Sequence, residues 1–232
     1  MVNKKNFLFI MCDQLRADYL SCMGHDRLKT PHIDELASKG VLFTRAYCQA
    51  PICGGSRMNF YTGRYAFTHG ASWNGIPLNL NEKTIGDYLK PLGYRVALVG
   101  KTHMVADIEG MARLGIDPQS HIGIQLSECG FEPYERDDGL WGNDDFPPPN
   151  FAYNTYLRSI GYESDNPWHD FANSAEGPHG ELLSGWYLRH SHLPARVSEK
   201  DSETAYMTNK AMKFIEEAAE NPWCLHLSYI KP

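Results

Sequence analysis

The chain has 232 residues, enough to bury a sizeable core in one domain or in two small ones. Hydrophobic residues make up 42% and charged residues 22%, which is typical of an ordinary soluble globular protein. The formal net charge of −6 argues against a nucleic-acid partner and against an anionic membrane surface, because both require a basic protein surface.

The cysteines indicate the redox environment. Six of them are scattered along the chain without a C-x-x-C pair. Cys12, Cys48 and Cys224 stand in apolar stretches, which predicts small buried side chains. This pattern favours a reducing compartment over a disulfide framework, so we expect a cytoplasmic protein. The apolar run at 7–12 is too short for a signal peptide, and no segment is long enough to cross a bilayer.

Strand and helix patterns alternate through the first hundred residues. The apolar run at 6–12 predicts a buried strand. Thr30-Pro31 predicts a helix start, with threonine as the N-cap and Gly40 as the stop. Further along, the patterns predict a strand at 41–47, helices at 54–63 and 83–90, and a strand at 94–100. This βαβ alternation predicts a largely parallel sheet covered by helices, with ligands at the carboxyl ends of the strands.

The remainder of the chain divides into two parts. Residues 105–200 lose periodicity and are rich in Gly, Pro, Trp, Tyr and Asp, notably at 144–150. We predict a loop-rich insertion over one edge of the sheet, whose aromatic residues either line a pocket or pack the loops. A helix at 201–220 and a strand at 223–230 then return to the α/β core formed by 1–104, so the last part is 201–232.

The run from Cys53 to Arg64, Cys-Gly-Gly-Ser-Arg-Met-Asn-Phe-Tyr-Thr-Gly-Arg, places a thiol in the first turn of a predicted helix. The start of a helix attracts anions and lowers the pKa of a cysteine. Arg57 follows Cys53 by four residues, lies on the same helix face and can bind a tetrahedral oxyanion with its planar guanidinium. Alone, the pattern also fits a structural cysteine at a glycine-containing turn.

Other polar residues follow predicted strands. Asp13 and Gln14 come directly after the first strand, and their oxygens suit Ca²⁺, Mg²⁺ or Mn²⁺, although a turn explains them as well. Lys101 and His103 follow the strand at 94–100 and can contact a sulfuryl or phosphoryl oxygen, or else are a surface lysine and a loop histidine. Asn74 precedes a glycine, which is either a turn signal or a substrate contact.

Together these motifs resemble those of the sulfatase family within the alkaline phosphatase superfamily. The family carries C-x-P-x-R followed by T-G-R, and here Gly55 stands in place of the proline. Residues 30–43 resemble T-P-x-I-D-x-L-A-x-x-G-x-x-F, and residues 93–103 resemble G-Y-x-T-x-x-x-G-K-x-H with Val96 in place of threonine. The Asp-Gln pair after the first strand is instead similar to that of the phosphonate monoester hydrolase branch.

The resemblance implies an α/β, alkaline phosphatase-like fold with a mostly parallel central sheet, helices on both faces, and a truncated C-terminus. It implies hydrolysis of sulfate esters, or of phosphonate monoesters and phosphodiesters, by a formylglycine that a formylglycine-generating enzyme makes from Cys53. The expected partner is a small anionic ester, and self-association is left open. The implied residues are Cys53, Arg57, Lys101 and His103 for catalysis, Asn74 and Thr102 for substrate binding, and Asp13, Gln14 and Cys53 for a divalent metal.

Two alternatives stay open. One is a non-catalytic anion- or metal-binding relative with an unmodified Cys53, and the other is a thiol phosphatase, in which cysteine and arginine stand further apart. The family places its general-acid histidine and further metal ligands after the position of Pro232. We therefore expect this chain to be the N-terminal part of a longer enzyme, with half of its metal site and no hydrolytic activity alone. His226, between two leucines in a predicted strand, is expected to be structural.

Overall fold

The computed structural model describes residues 4–138 and 151–231, so the predicted loop at 144–150 lies outside the described residues. The strands of the described part are β1 (Phe7–Cys12), β2 (Arg95–Gly100), β3 (Glu132–Arg136), β4 (Ser174–Glu176), β5 (Leu182–Ser184) and β6 (Trp223–Tyr229). Its α-helices are α1 (Pro31–Lys39), α2 (Cys53–Thr62), α3 (Ala66–His69), α4 (Ile85–Leu89), α5 (Ile108–Arg113), α6 (His121–Ser127), α7 (Ala152–Ser159) and α8 (Glu203–Glu217).

The central sheet is parallel, as the sequence predicts. Its strands lie in the order β1, β6, β2, β3, while β4 and β5 form a separate antiparallel pair. Ser228 of β6 pairs with Met11 on one side and with Gly100 on the other. The carboxyl ends of three strands therefore meet at one edge of the sheet, which is where parallel sheets place ligands.

Helices cover both faces of this sheet, and the alternation of side chains along β2 explains why. Ala97 and Val99 join an apolar cluster that includes α8. Val96 and Leu98 join a second cluster that includes α2. A central parallel strand buried on both faces reads as a continuous apolar run, so the predicted helix–sheet–helix arrangement is confirmed.

Two strand predictions differ from the structure. β1 forms, but it lies at the edge of the sheet in the described part of the chain, and Ile10 is 55% exposed rather than buried. Residues 41–47 do not form a strand, and Val41 is 79% exposed. Their β-branched and aromatic residues suit a pleated sheet, but strand formation also needs backbone partners, and these residues have none within the described ranges.

The cysteine prediction is also corrected in part. All six thiols are free, as expected for a chain without a disulfide framework. Cys224 is buried inside β6, but Cys12 is only half-buried and Cys48 is exposed. Cys12 ends β1, which is itself poorly covered, and Cys48 directly follows the exposed residues at 41–47.

Residues 105–200 contain more regular structure than the sequence predicts. β3 extends the central sheet beyond β2, and Tyr153 and Leu157 of α7 pack into the same cluster as α8. The helices α5, α6 and α7 have only six to eight residues each, too few to show a clear period in the sequence. This segment is therefore partly core rather than only a covering loop.

The ends of the predicted helices move by a few residues. Ser202 caps α8 by accepting a hydrogen bond from the Ala205 N–H at 3.3 Å. Thr84 starts α4 in a reciprocal capping box with Asp87. No helix in the described ranges combines the length and the apolarity needed to span a membrane.

Candidate active site

The strand ends and the start of α2 meet around Asp13. Its N–H donates to the Tyr229 carbonyl at 3.0 Å, which continues the β1–β6 ladder past the strand end. One carboxylate oxygen, Oδ2, lies 3.9 Å from Cys53 Sγ and accepts a hydrogen bond from Lys101 Nζ at 2.7 Å. The topology thus brings together three predicted site residues that are far apart in the sequence.

Arg57 binds protein groups rather than facing the solvent. Its Nη1 donates to the Lys101 carbonyl at 2.7 Å and to Ser228 Oγ at 2.8 Å, and its Nη2 donates to Asp13 Oδ1 at 3.3 Å. The residue is 1% exposed. Cys53 and Arg57 do lie on one face of α2, as predicted, but the guanidinium orients Asp13 and the end of β2 and is not open to a ligand.

Asp13 is an ionised carboxylate between two cations. Burial alone would raise the pKa of Asp13. The Lys101 ammonium and then the Arg57 guanidinium have the opposite effect and together outweigh burial, so the pKa of Asp13 is below its ordinary value. The negative charge is therefore present at neutral pH. Its two oxygens already accept from Lys101 and Arg57 and still have free lone pairs.

An open cleft of about 460 Å³ lies beside this group. Its lining consists of Asp13, Gln14, Cys48, Pro51, Ile52, Cys53, Ser56 and Asn74. Gln14 has a left-handed backbone with φ of 60°. This conformation is unusual for a non-glycine residue and is often found at functional sites. Asn74 Oδ1 accepts a hydrogen bond from the Gly54 N–H at 2.8 Å, so its NH₂ group is the part that can donate to a ligand.

Three predicted metal ligands, Asp13, Gln14 and Cys53, line this one cleft. Carboxylate and amide oxygens suit a hard divalent cation, so the donor types fit. The set is incomplete, because Ca²⁺ and Mg²⁺ take about six or more ligands. Within the part of the chain that the structure describes, no three His, Cys, Asp or Glu residues cluster as a metal site.

Thr102 and His103 have different surroundings. Thr102 is 0% exposed and its Oγ1 donates to Glu128 Oε2 at 3.3 Å, so its hydroxyl is bound to the protein, and the substrate contact expected for this residue stays a prediction. His103 has a left-handed backbone with φ of 53°. Burial and then the Lys101 charge lower its pKa, so its ring is neutral at pH 7. Its Nδ1 is buried without a hydrogen-bond partner among the described residues.

His226 is structural, as expected from its place between two leucines. It is fully buried in β6, and its Nε2 lies 3.2 Å from the hydroxyl of Tyr61. Burial and then the charge of Arg57 lower its pKa to about 3, so the ring stays neutral. A neutral, hydrogen-bonded imidazole in the core has no access to a substrate.

The sequence did not single out three charged residues that support this site, namely Glu128, Arg136 and Asp138. They form ion pairs with one another beside the loop that follows β2. Arg136 ends β3 and Asp138 lies two residues further, at the same edge of the sheet as Lys101. The signal that could have identified them is the strand β3 itself, which the sequence reading missed.

The glycine in place of the family's proline has a steric explanation. A Cβ on Gly55 would lie 2.7 Å from the Ser72 carbonyl oxygen, and one on Gly54 would lie 2.9 Å from Asn74 Oδ1. The missing N–H of a proline would not matter here, because the first turn of a helix has no intrahelical acceptors for these groups. The loop at 72–74 therefore packs directly on α2 where only glycine fits.

Gly55→Ala is expected to destabilise the chain by about 1–2 kcal/mol, because the Ser72 carbonyl must move to admit the methyl group. This reverses the gain that alanine normally gives in a helix. Urea denaturation followed by circular dichroism measures the change. Ser56→Ala, on the same turn of α2, is the control and should change stability little. If Gly55→Ala is as stable as the wild type or more stable, the loop at 72–74 can move away from the methyl group without cost.

Glu128→Gln is expected to alter the pH dependence of stability. Burial raises the pKa of the Glu128 carboxyl from 4.5 to about 7, despite the opposing Arg136. Between these values the folded state binds more protons than the unfolded state, so stability falls as pH rises. Between pH 4.5 and pH 7, the free energy of unfolding should fall by up to about 3 kcal/mol more in the wild type than in Glu128→Gln.

Urea titrations at several pH values within this window test the Glu128 prediction. Glu109→Gln is the matched control, because Glu109 is exposed on α5 and lies 4.0 Å from Arg113. This control should follow the wild-type curve. Parallel curves for Glu128→Gln and the wild type would mean that Glu128 is ionised in the folded state throughout the range.

The fold and the arrangement at the carboxyl edge of the sheet define a member of the alkaline phosphatase superfamily. The sulfatase family model matches residues 5–232, and the chain belongs to that family. This agrees with the motifs around Cys53, at 30–43 and at 93–103.

Individual relatives come from two branches of this superfamily. The uncharacterised sulfatase YidJ of Escherichia coli K12 is 27% identical and aligns with 100% of this chain and 39% of its own length. The multifunctional alkaline phosphatase superfamily protein PehA of Trinickia caryophylli is 27% identical over 100% of this chain and 42% of its own length. The structure of phosphonate monoester hydrolase SpPMH from Silicibacter pomeroyi superposes with a TM-score of 0.76 at 27% identity, covering 99% of this chain and 42% of that one. The chain thus spans about 40% of the length of these relatives.

Proposed function

We propose that the protein containing this chain hydrolyses sulfate esters, or phosphonate monoesters and phosphodiesters, in the cleft beside Asp13. The observation that carries the proposal is the shared contact at Asp13 Oδ2, which lies 3.9 Å from Cys53 Sγ and 2.7 Å from Lys101 Nζ. A nucleophile precursor and an ionised carboxylate thus line one cleft, and a buried cation, Lys101, binds the same carboxylate. Sulfate esters and phosphodiesters share charge and tetrahedral geometry, so both substrate classes suit the site.

Cys53 is the proposed precursor of formylglycine. It is the first residue of α2, half-buried and part of the cleft lining, so its side chain is open to modification. Formylglycine would supply an oxygen nucleophile in place of the thiol. The helix start adds N–H groups and a positive dipole end, which favour an anionic substrate next to residue 53.

Asp13, Gln14 and the side chain at position 53 are the residues of this chain that would hold a divalent cation. When bound, the cation would supply Lewis-acid stabilisation of the charge on the ester oxygens. Arg57 positions Asp13 for this role through its hydrogen bond to Oδ1. The same contact keeps the guanidinium out of the cleft, so we assign it no direct substrate contact.

The remaining residues provide donors for the substrate. The buried Lys101 supplies positive charge next to Asp13, the NH₂ group of Asn74 can donate to an ester oxygen, and His103 lies at the same strand end as Lys101. Such fixed donors stabilise the charge that develops in the transition state because they need little reorganisation. These local groups also offset the net charge of −6, which would otherwise repel an anion.

A second candidate function is a binding protein with an unmodified Cys53. The observation that favours it is Gly55, since the loop at 72–74 occupies the space of the proline found in the family motif. In this case the chain would bind a sulfate- or phosphate-bearing ligand without turnover. The two candidates differ in the chemical state of residue 53 and in hydrolysis.

Mass spectrometry of the Cys53 peptide, from protein co-expressed with a formylglycine-generating enzyme, separates the two candidates. Conversion would lower the peptide mass by roughly 18 Da, because oxygen replaces sulfur and two hydrogens are lost. The modified protein containing this chain should hydrolyse an aryl sulfate or an aryl phosphonate monoester, and Cys53→Ala should remove this activity.

Cys48→Ala is the matched control, because Cys48 lines the same cleft but does not start the helix. It should leave the modification and the turnover unchanged. An unmodified Cys53 peptide together with the absence of turnover would support the binding protein. Turnover that persists in Cys53→Ala would contradict both candidates.

A further inference from the structure

The loop that follows β2 is held by three charged side chains from a different part of the chain. Asp138 Oδ1 accepts hydrogen bonds from two consecutive backbone N–H groups, those of Thr102 at 3.0 Å and His103 at 2.9 Å. Glu128 accepts from the hydroxyl of Thr102 at 3.3 Å. Arg136 donates to the Met104 carbonyl at 3.2 Å. The loop is thus fixed before, at and after His103.

The three charges also fix one another. The Arg136 guanidinium donates to Asp138 Oδ2 through Nε at 3.0 Å and through Nη2, and to Glu128 through Nη1. Glu128 is buried, Asp138 is 15% exposed and Arg136 is 33% exposed. Arg–carboxylate pairs with several hydrogen bonds have one well-defined geometry, so the network is a rigid support.

His103 needs such a support because its backbone is strained. A left-handed φ of 53° costs a non-glycine residue roughly 1–2 kcal/mol. Two N–H groups aimed at a single carboxylate oxygen fix this conformation. The network does not hydrogen-bond the ring of His103, whose buried Nδ1 has no hydrogen-bond partner among the described residues.

We propose that Glu128, Arg136 and Asp138 form a positioning network for His103, with Asp138 as its central member. The network holds the backbone of His103 and leaves the single N–H of its neutral ring to donate to the anionic ester. This inference rests on the proposed hydrolase function, because it assigns the ring to substrate. The segment at 128–138 lies outside the sequence motifs, and the proposal gives this segment a role in the site.

Asp138→Ala tests the network in the modified, active protein. It should lower kcat/KM about 10- to 100-fold, as expected when a reacting group is displaced slightly. In a His103→Ala background the same change should have less than about a threefold further effect, because the group it positions is absent. Asp138→Asn keeps an acceptor for the two N–H groups but puts an NH₂ group where Oδ2 accepts from Arg136, so it should restore only part of the activity. This variant also serves if Asp138→Ala does not fold.

Glu132→Ala is the matched control. Glu132 begins the strand that Arg136 ends and forms a comparable two-point ion pair with Arg95, with distances of 2.7 and 2.9 Å. This variant should leave kcat/KM unchanged. Equal losses for Asp138→Ala in the wild-type and His103→Ala backgrounds would overturn the proposal, as would no loss at all.

A second measurement does not depend on turnover. In protein labelled with ¹⁵N-histidine, the ring signals of His103, assigned by their loss in His103→Ala, should shift in Asp138→Ala and move again with inorganic sulfate. An unchanged His103 signal in Asp138→Ala would overturn the network. If the signal shifts but no ester is hydrolysed by the wild type, the proposed function fails while the structural coupling stands.

Discussion

Asp13→Ala is expected to lower the free energy of unfolding by about 3–5 kcal/mol and to abolish hydrolysis. The side chains of Lys101 and Arg57, which pair with this carboxylate, are only 5% and 1% exposed. Removal of Asp13 leaves two buried cations without their counter-charge. The guanidinium of Arg57 cannot respond by losing a proton. Urea denaturation at pH 7 and ester turnover measure the two effects.

Asp18→Ala is the control for this prediction. Asp18 lies in the segment that follows β1 and also pairs with an arginine, Arg16, but the two side chains are 62% and 68% exposed. Exposed ion pairs contribute little to stability, so this variant should unfold close to the wild type. Comparable losses for Asp13→Ala and Asp18→Ala would mean that the Asp13 pairs are as solvated as a surface pair.

Arg57→Ala is expected to have the second largest effect, a loss of about 3–4 kcal/mol in stability. The change empties the space of a fully buried arginine side chain and leaves the Lys101 carbonyl and the Ser228 hydroxyl without their donor. It also frees Asp13 Oδ1, so activity should fall with stability. Arg57→Lys should rescue little, because one ammonium cannot reproduce the fork of contacts.

The measurement is again urea denaturation, with Arg64→Ala as the control just beyond the end of α2. Arg64 pairs with Glu82 but its side chain is 46% exposed, so its removal should cost little. A double-mutant cycle between Asp13 and Arg57 should be non-additive, since the two residues share one contact. Additive losses would show that Arg57 acts through its contacts to Lys101 and Ser228 alone.

Much of the fold follows from local sequence signals. The apolar runs give β1, β2 and β6, and the residues Thr30, Thr84 and Ser202 mark three helix starts, although Thr30 makes no side-chain capping hydrogen bond. Because a parallel sheet aligns the carboxyl ends of its strands, residues after β1 and β2 had to lie near one another. The proximity of Asp13 and Lys101 could therefore be predicted before any distance was known, whereas Cys53 follows no strand and was placed beside them by the motif resemblance.

The sequence gives no reliable signal for elements that are short or that depend on pairing with distant segments. β3 has five residues and no alternation, and the run at 41–47 has strand-forming residues but no backbone partner in the described part of the chain. β-structure depends on pairing between segments, so composition alone misjudged both. The network around His103 was missed for the same reason, since Asp138 follows the unpredicted strand.

The sequence by itself determined the order of β1, β2 and β6, the sulfatase motifs and four of the residues that line the cleft, Asp13, Gln14, Cys53 and Asn74. These features depend on side-chain types at fixed local spacings. Only the tertiary structure decided that Arg57 and Thr102 point into the protein and that a loop packs on Gly55. The bond from Arg57 to Ser228 spans 171 positions, and such contacts depend on how the layers pack, which no local spacing encodes.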